Sequence, residues 1–224
     1  YIELIYLTLL GALTSLSLPP SNYVVINFLT FSLFYIFLVK KIEFYKNKKI
    51  FFLYGWLFGF GYFVSNLYWI SISLTFDQNF KFLIPFTIIL IPGFLALFYA
   101  LVAYLFVVLK PNNNLSSFFL FSLIFGIVEF VRGSILTGFP WNLIAYSFSN
   151  QIEILNITSI IGTYSFNLFC ISLFTSPSIF ILRENKKDIS ICVAFLITTM
   201  SFYILGSQNL EKFNNQQVKK LDYK

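Results

Sequence analysis

What most constrains this chain is the placement of its charges. Apolar runs of about 17 to 27 residues follow one another along its length, and Lys, Arg, Asp and Glu fall almost entirely between them. A run that long crosses the roughly 30 Å hydrocarbon layer as a helix. In lipid the backbone must satisfy its own hydrogen bonds, which leaves helices or closed barrels, and runs without strict alternation favour the helix. Only 11% of the residues are charged and the mean hydropathy is +0.81. A soluble domain needs about 25% charged residues to coat its surface, so most of this surface must face lipid. The expected fold is all-α, a polytopic membrane bundle of about seven transmembrane helices.

The runs fall at 2–18, 23–39, 51–76, 82–109, 116–136, 154–182 and 189–205. Pro19-Pro20 ends the first, the polar stretch 77–81 ends the third, and Pro92 is expected to bend the fourth. Residues 1–206 thus form the bundle. The polar tail 207–224 carries no span and is expected to be a connector on the far side of the membrane.

Alternate loops differ sharply in basic residues. Lys40, Lys41, Lys46, Lys48 and Lys49 occupy one loop, Lys110 the next but one, and Arg183, Lys186 and Lys187 the next but one again; the intervening loops hold only Lys81. The positive-inside rule then puts the N-terminus in the cytoplasm and the tail in the periplasm of a bacterial inner membrane. The net charge of +6 is spent on orientation and does not point to nucleic acid.

Several chemistries are excluded or disfavoured. The chain has no histidine, so no Ser-His or Cys-His pair can form. Cys170 and Cys192 sit inside apolar runs, which suits small buried residues and neither a disulfide, a metal site nor an activated thiolate. No catalytic residue, metal site or cofactor is expected. The 31 Phe and 14 Tyr residues fit a biased genome composition and carry no functional weight.

Three features could carry function. Gly55, Gly59 and Gly61 suggest one small-residue stripe for close helix packing. Asn66, Trp69 and Ser73 share a face by their i, i+3, i+7 spacing; Asn66 there serves either an interhelical hydrogen bond or a substrate. The third is the segment from Glu129 to Trp141. Glu129 and Arg132 lie on one helical face near a span's end, either as a structural ion pair or with Arg132 meeting a phosphate or carboxylate. Gly138-Phe139-Pro140-Trp141 then breaks the helix and leaves aromatics at headgroup depth. Residues 142–150 are too short to span and are expected to lie in the interface or re-enter.

The chain resembles the bacterial apolipoprotein N-acyltransferase family. The resemblance rests on Glu129-Phe-Val-Arg132-Gly133, Thr137-Gly138-Phe139-Pro140-Trp141, Tyr146-Ser147, Gln151 and Gly162-Thr-Tyr164-Ser-Phe-Asn167. Residues 55–72 and 11–19 also fit, so the similarity covers most of the chain. It implies a phospholipid acyl donor and, as acceptor, the diacylglyceryl-cysteine of a lipoprotein. It also implies a periplasmic nitrilase-like domain with a Glu-Lys-Cys triad and a final transmembrane helix, toward which the tail would lead. In that family the Cys takes an acyl chain from phospholipid as a thioester, with the Glu as base and the Lys stabilising the oxyanion. No residue here matches that triad. The implied role of the chain is to anchor and position a catalytic domain and admit lipid, with Glu129, Arg132, Phe139, Pro140, Trp141, Asn66 and Trp69 as substrate-contact candidates. A small transporter and a non-catalytic membrane scaffold are the rival readings; the first should show internal repeats and mid-membrane polar residues, and no clear repeat is evident.

Overall fold

A computed structural model describes residues 1–135, 138–183 and 186–221. Thr137, part of the family-like motif, lies outside the described residues, as do Leu136, the Glu184–Asn185 part of the charged turn and residues 222–224 of the tail.

Among the described residues the fold is all-helical. The helices are α1 (Ile2–Ser15), α2 (Val25–Ile42), α3 (Ile50–Leu67), α4 (Ile84–Leu109), α5 (Asn114–Ser134), α6 (Ile152–Leu155), α7 (Thr158–Ile161), α8 (Thr163–Ile181) and α9 (Lys186–Leu221). Three 3-10 segments, Tyr68–Thr75, Gln78–Leu83 and Ile144–Phe148, link them. Six stretches are long and apolar enough to cross a membrane: Val25–Ile42, Ile50–Thr75, Gln78–Leu109, Asn114–Ser134, Thr163–Ile181 and Asp188–Phe213. The first apolar run forms the shorter α1, 14 residues and about 21 Å long, laid along α3 and α2. The chain is therefore a multi-pass membrane helix bundle.

Successive long helices run antiparallel, so the bundle has two unlike ends. At one, Glu3 of α1 pairs with Lys41 of α2 and accepts hydrogen bonds from Tyr45 and Tyr54. At the other lie the end of α1, the end of α3, the start of α4, the end of α5 and the start of α8. Between them sits an aromatic core. Phe34 stacks on Phe58 at 4.1 Å, Phe31 meets Phe58 and Phe125, and Tyr99 packs edge-on to Phe125 at 4.8 Å. With lipid as solvent, such dense ring contacts supply much of what the hydrophobic effect supplies in water.

Three expectations are corrected. The three glycines of α3 do not share a stripe. A Cβ on Gly55 or Gly59 would strike α4 at Tyr99, Ala103 or Ala96, whereas one on Gly61 would strike the backbone of Thr8 in α1. Two residues turn a helix by about 200°, so Gly59 and Gly61 face opposite neighbours. Second, α3 ends at Leu67 and continues as a 3-10 helix, so the α-helical spacing joining Asn66 to Trp69 and Ser73 does not hold. Third, the sixth span starts at Thr163, because Gly162 at φ +82° and ψ 157° breaks the chain there; residues 152–161 form α6 and α7 instead. Beyond these, the described part of the polar tail continues the last helix. α9 runs 36 residues to Leu221, about 54 Å, because beyond Gly206 no Gly or Pro interrupts it.

Candidate functional site

The last turns of α5 bring Glu129 and Arg132 together inside the bundle. Arg132 Nη2 donates to Glu129 Oε2 at 2.6 Å and Nε to Oε1 at 3.2 Å, a two-point contact between side chains that are both 0% exposed. The guanidinium also lies over the Phe63 ring, 5.3 Å from its centre. Taking two ions out of water costs several kcal/mol each, so the pair persists only if its remaining hydrogen-bonding capacity is used.

The chain after α5 uses it. α5 stops at Ser134, and Gly138 at φ +75° turns the backbone back; a Cβ there would lie 2.4 Å from Gly133 O. Phe139 N donates to Arg132 O at 3.1 Å. Arg132 Nη1 in turn donates to Phe139 O at 2.8 Å and Trp141 O at 3.0 Å. One buried cation thus holds both the last turn of α5 and the loop that follows. It also sits at the helix C-terminus, where the backbone dipole favours positive charge. In this arrangement the guanidinium is buried and directed at Glu129 and two loop carbonyls.

The clamped loop presents its aromatics outward. Trp141 stacks on Trp69 from the 3-10 extension of α3, with ring centres 5.4 Å apart and planes 13° from parallel. Phe139 also stacks with Trp141, with ring centres 6.0 Å apart. Trp69 and Trp141 remain 42% and 53% exposed. With Leu18, Pro19, Pro140, Asn142 and Tyr146 they line an open cleft of about 430 Å³. Burial raises the Tyr146 hydroxyl above its ordinary value, so it remains a neutral donor.

Of the sequence candidates, Glu129, Arg132, Phe139, Pro140, Trp141 and Trp69 therefore meet in one place, the first two beneath the cleft and the rest at or in it. Asn66 borders a hollow that continues inward from the cleft, while Ser73 is exposed and donates to Ile70 O. Residues 142–150 fold onto the bundle: Leu143, Ile144, Ala145, Ser147 and Phe148 are buried, and Ala145 N donates to Asn167 Oδ1 at 2.9 Å. Sequence reasoning on single residues missed Tyr62, whose hydroxyl donates to Asn142 O at 2.7 Å and fixes the cleft's inner wall. A hydroxyl in the middle of an apolar helix is the same kind of signal as Asn66, and could have been weighed with it.

Comparison with known proteins gives a consistent result. Residues 10–175 match the family described as apolipoprotein N-acyltransferase N-terminal domain. The apolipoprotein N-acyltransferase of Rhodopseudomonas palustris is 35% identical over 176 residues, 77% of this chain and 32% of that protein. That of Rickettsia prowazekii is 34% identical over 194 residues, 86% and 38% of the two chains. The protein of the same name from Brucella melitensis is 36% identical over 126 residues, 56% and 24% of the two. The chain spans about a third of the length of such relatives.

Proposed function

The chain belongs to the apolipoprotein N-acyltransferase family, and from that premise we propose that it is the membrane part of such an enzyme, holding lipid for acyl transfer at the periplasmic face of a bacterial inner membrane. The observation that carries this reading is the stacked Trp69–Trp141 pair at the mouth of a cleft, held by the buried Arg132–Glu129 pair. Indole rings suit the headgroup boundary, where an apolar body and a polar N–H are both accommodated. The cleft lies at the bundle end opposite the Lys40–Lys49 loop. Under the positive-inside rule that end is periplasmic, and the tail 207–224 leaves the membrane on the same side.

The donor would be a phospholipid and the acceptor the diacylglyceryl-cysteine of a lipoprotein. Neither can leave the bilayer cheaply, since each exposed CH₂ costs about 0.8 kcal/mol. A catalytic domain acting on them gains from a membrane part that brings the ester to it. In this reading Trp69, Phe139, Pro140, Trp141 and Asn66 contact lipid. Glu129 and Arg132 are positioning residues that keep the Phe139–Trp141 loop in place, and residues 1–206 act as the anchor.

Photolabelling in detergent with a phospholipid bearing a diazirine on its acyl chain tests the reading. Labels should concentrate on peptides containing Trp69 and residues 139–146, and unlabelled phospholipid should compete them away. Labelling spread evenly over the lipid-facing side chains of α4 and α9, with no enrichment at the cleft, would refute it.

A further inference from the structure

The two flanks of the bundle are unequal in height. α3 lies between α1 and α4: a Cβ on Gly61 would strike α1, and one on Gly55 or Gly59 would strike α4. α2 packs beside α1 and reaches round to α8. On that flank α1 has 14 residues and α2 has 18, whereas α4, beyond α3, has 26 and is about 39 Å long. The outward-facing side chains follow the same division. Ile5, Leu9, Leu13 and Leu16 form one exposed stripe on α1, while exposed apolar residues of α4 run from Phe86 to Leu109.

Both edges of the short flank are fixed by chemistry. At the basic end Glu3 pairs with Lys41, both side chains are partly exposed, and Lys40 beside them is exposed. A partly exposed ion pair belongs at the headgroups, because a charge facing hydrocarbon is expensive. A lysine can snorkel there on its long stem, but Glu3 has no such reach. At the other end the turn between α1 and α2 exposes Pro19, Pro20 and Tyr23. Irregular backbone does not face hydrocarbon, and a tyrosine suits the headgroup level. From Glu3 to Leu16 the helix rises about 20 Å, and from Tyr23 to Lys40 the rise is about 26 Å. The usual hydrocarbon layer is about 30 Å thick. A helix that is too long for it can tilt, as α4 can, but tilting makes a short one shorter still. At α1 and α2 it is the lipid that must adjust.

We infer that the α1–α2 flank is a surface for a collar of thinned bilayer, and that the neighbours it selects are lipids with short acyl chains. Such lipids cover the stripe from Ile5 to Leu16 without drawing hydrocarbon over Glu3 or over the Pro19-Pro20 turn. The α4 side makes no such demand. Leu18 and Pro19, which follow α1, also border the cleft, so the two membrane surfaces come closest together beside it. The collar is bilayer lipid and holds whether or not the cleft seats a lipid of its own.

The test reads the lipid composition at each flank. In a Cys192→Ala protein, with the fully buried Cys170 left in place, Leu9→Cys on α1 or Leu101→Cys on α4 carries a bimane label; both leucines are exposed. The 224-residue protein is reconstituted into vesicles mixing two phosphatidylcholines, one forming a hydrocarbon layer thinner than about 30 Å and one thicker. Each lipid in turn carries brominated chains, which quench the label on contact. At Leu9 the short-chain lipid should be enriched about two-fold over its share of the vesicle, and at Leu101 it should stand at or below its share. Leu9 lies about 9 Å along α1 from Ser15, so a lipid seated in the cleft does not register there. The same composition at both labels, or enrichment of the long-chain lipid at Leu9, would overturn the inference. Should Leu9→Cys fail to fold, Ile5→Cys on the same stripe is read in the same way.

Discussion

At Arg132 the helix has barely half a turn left to run, and the side chain acts where the backbone stops. Its donors go to Glu129 and to the carbonyls of Phe139 and Trp141, so the charge pair and the loop beneath the cleft are one hydrogen-bonded unit. Arg132→Gln leaves the Glu129 carboxylate buried without a counter-charge, and the expected loss is about 3–5 kcal/mol. Arg132→Lys keeps the charge, but an ammonium lacks the planar fork that reaches both carboxylate oxygens and two carbonyls, so its loss should fall between the wild type and Gln. Glu129→Gln combined with Arg132→Gln should recover part of the stability, because no lone charge remains inside. Thermal unfolding in detergent, followed by tryptophan fluorescence, measures all three. An unfolding temperature unchanged in Arg132→Gln would mean that the pair does not hold the loop.

The elements meet at glycines, and for two distinct physical reasons. At Gly55 a Cβ would lie 2.3 Å from Tyr99 O, so α3 and α4 touch backbone to backbone and any side chain forces them apart. At Gly162 a Cβ would meet nothing within 4 Å, yet φ is +82° with ψ 157°, a conformation essentially reserved for glycine. Gly162→Ala should therefore cost about 1–3 kcal/mol through backbone strain alone. Gly55→Ala should cost about as much or more through overpacking. The two are separable by a second, distant change. Trimming Ala103→Gly, whose Cβ is a near neighbour of the Gly55 position, should ease Gly55→Ala and leave Gly162→Ala untouched. Equal response of both variants in unfolding midpoints would contradict this division.

For the whole molecule, the decisive property is which end of the bundle faces which side. The ends differ in composition: Lys40, Lys41, Lys46, Lys48 and Lys49 at one, the aromatic cleft at the other. An alkaline phosphatase reporter fused after Lys224 should be active, and one fused after Lys48 inactive, because only the periplasmic side supports its activity. The reverse pattern would turn the bundle over and put the cleft in the cytoplasm. α9 gives the molecule a long reach at the cleft end. At about 54 Å it exceeds the hydrocarbon thickness, and near Gly206 it approaches the backbone of Glu153 so closely that no Cβ fits.

By itself the sequence determined what depends on local composition. Long apolar runs without charge must become helices in lipid, since no other open structure satisfies the backbone there, and the basic loops mark one end. It also placed Glu129 and Arg132 on one face of α5 by their spacing of three, and left open whether they pair with each other or Arg132 meets an anion. Only the tertiary structure decided which surfaces meet. That Gly59 faces α4 while Gly61 faces α1, that Arg132 turns inward to two loop carbonyls, and that Trp69 stacks on Trp141 seventy-two positions later are facts of packing between distant segments. The break at Gly162 belongs with them: an apolar run looks continuous whether or not one glycine in it adopts a positive φ, and the choice is made by how α6, α7 and α8 pack against the bundle.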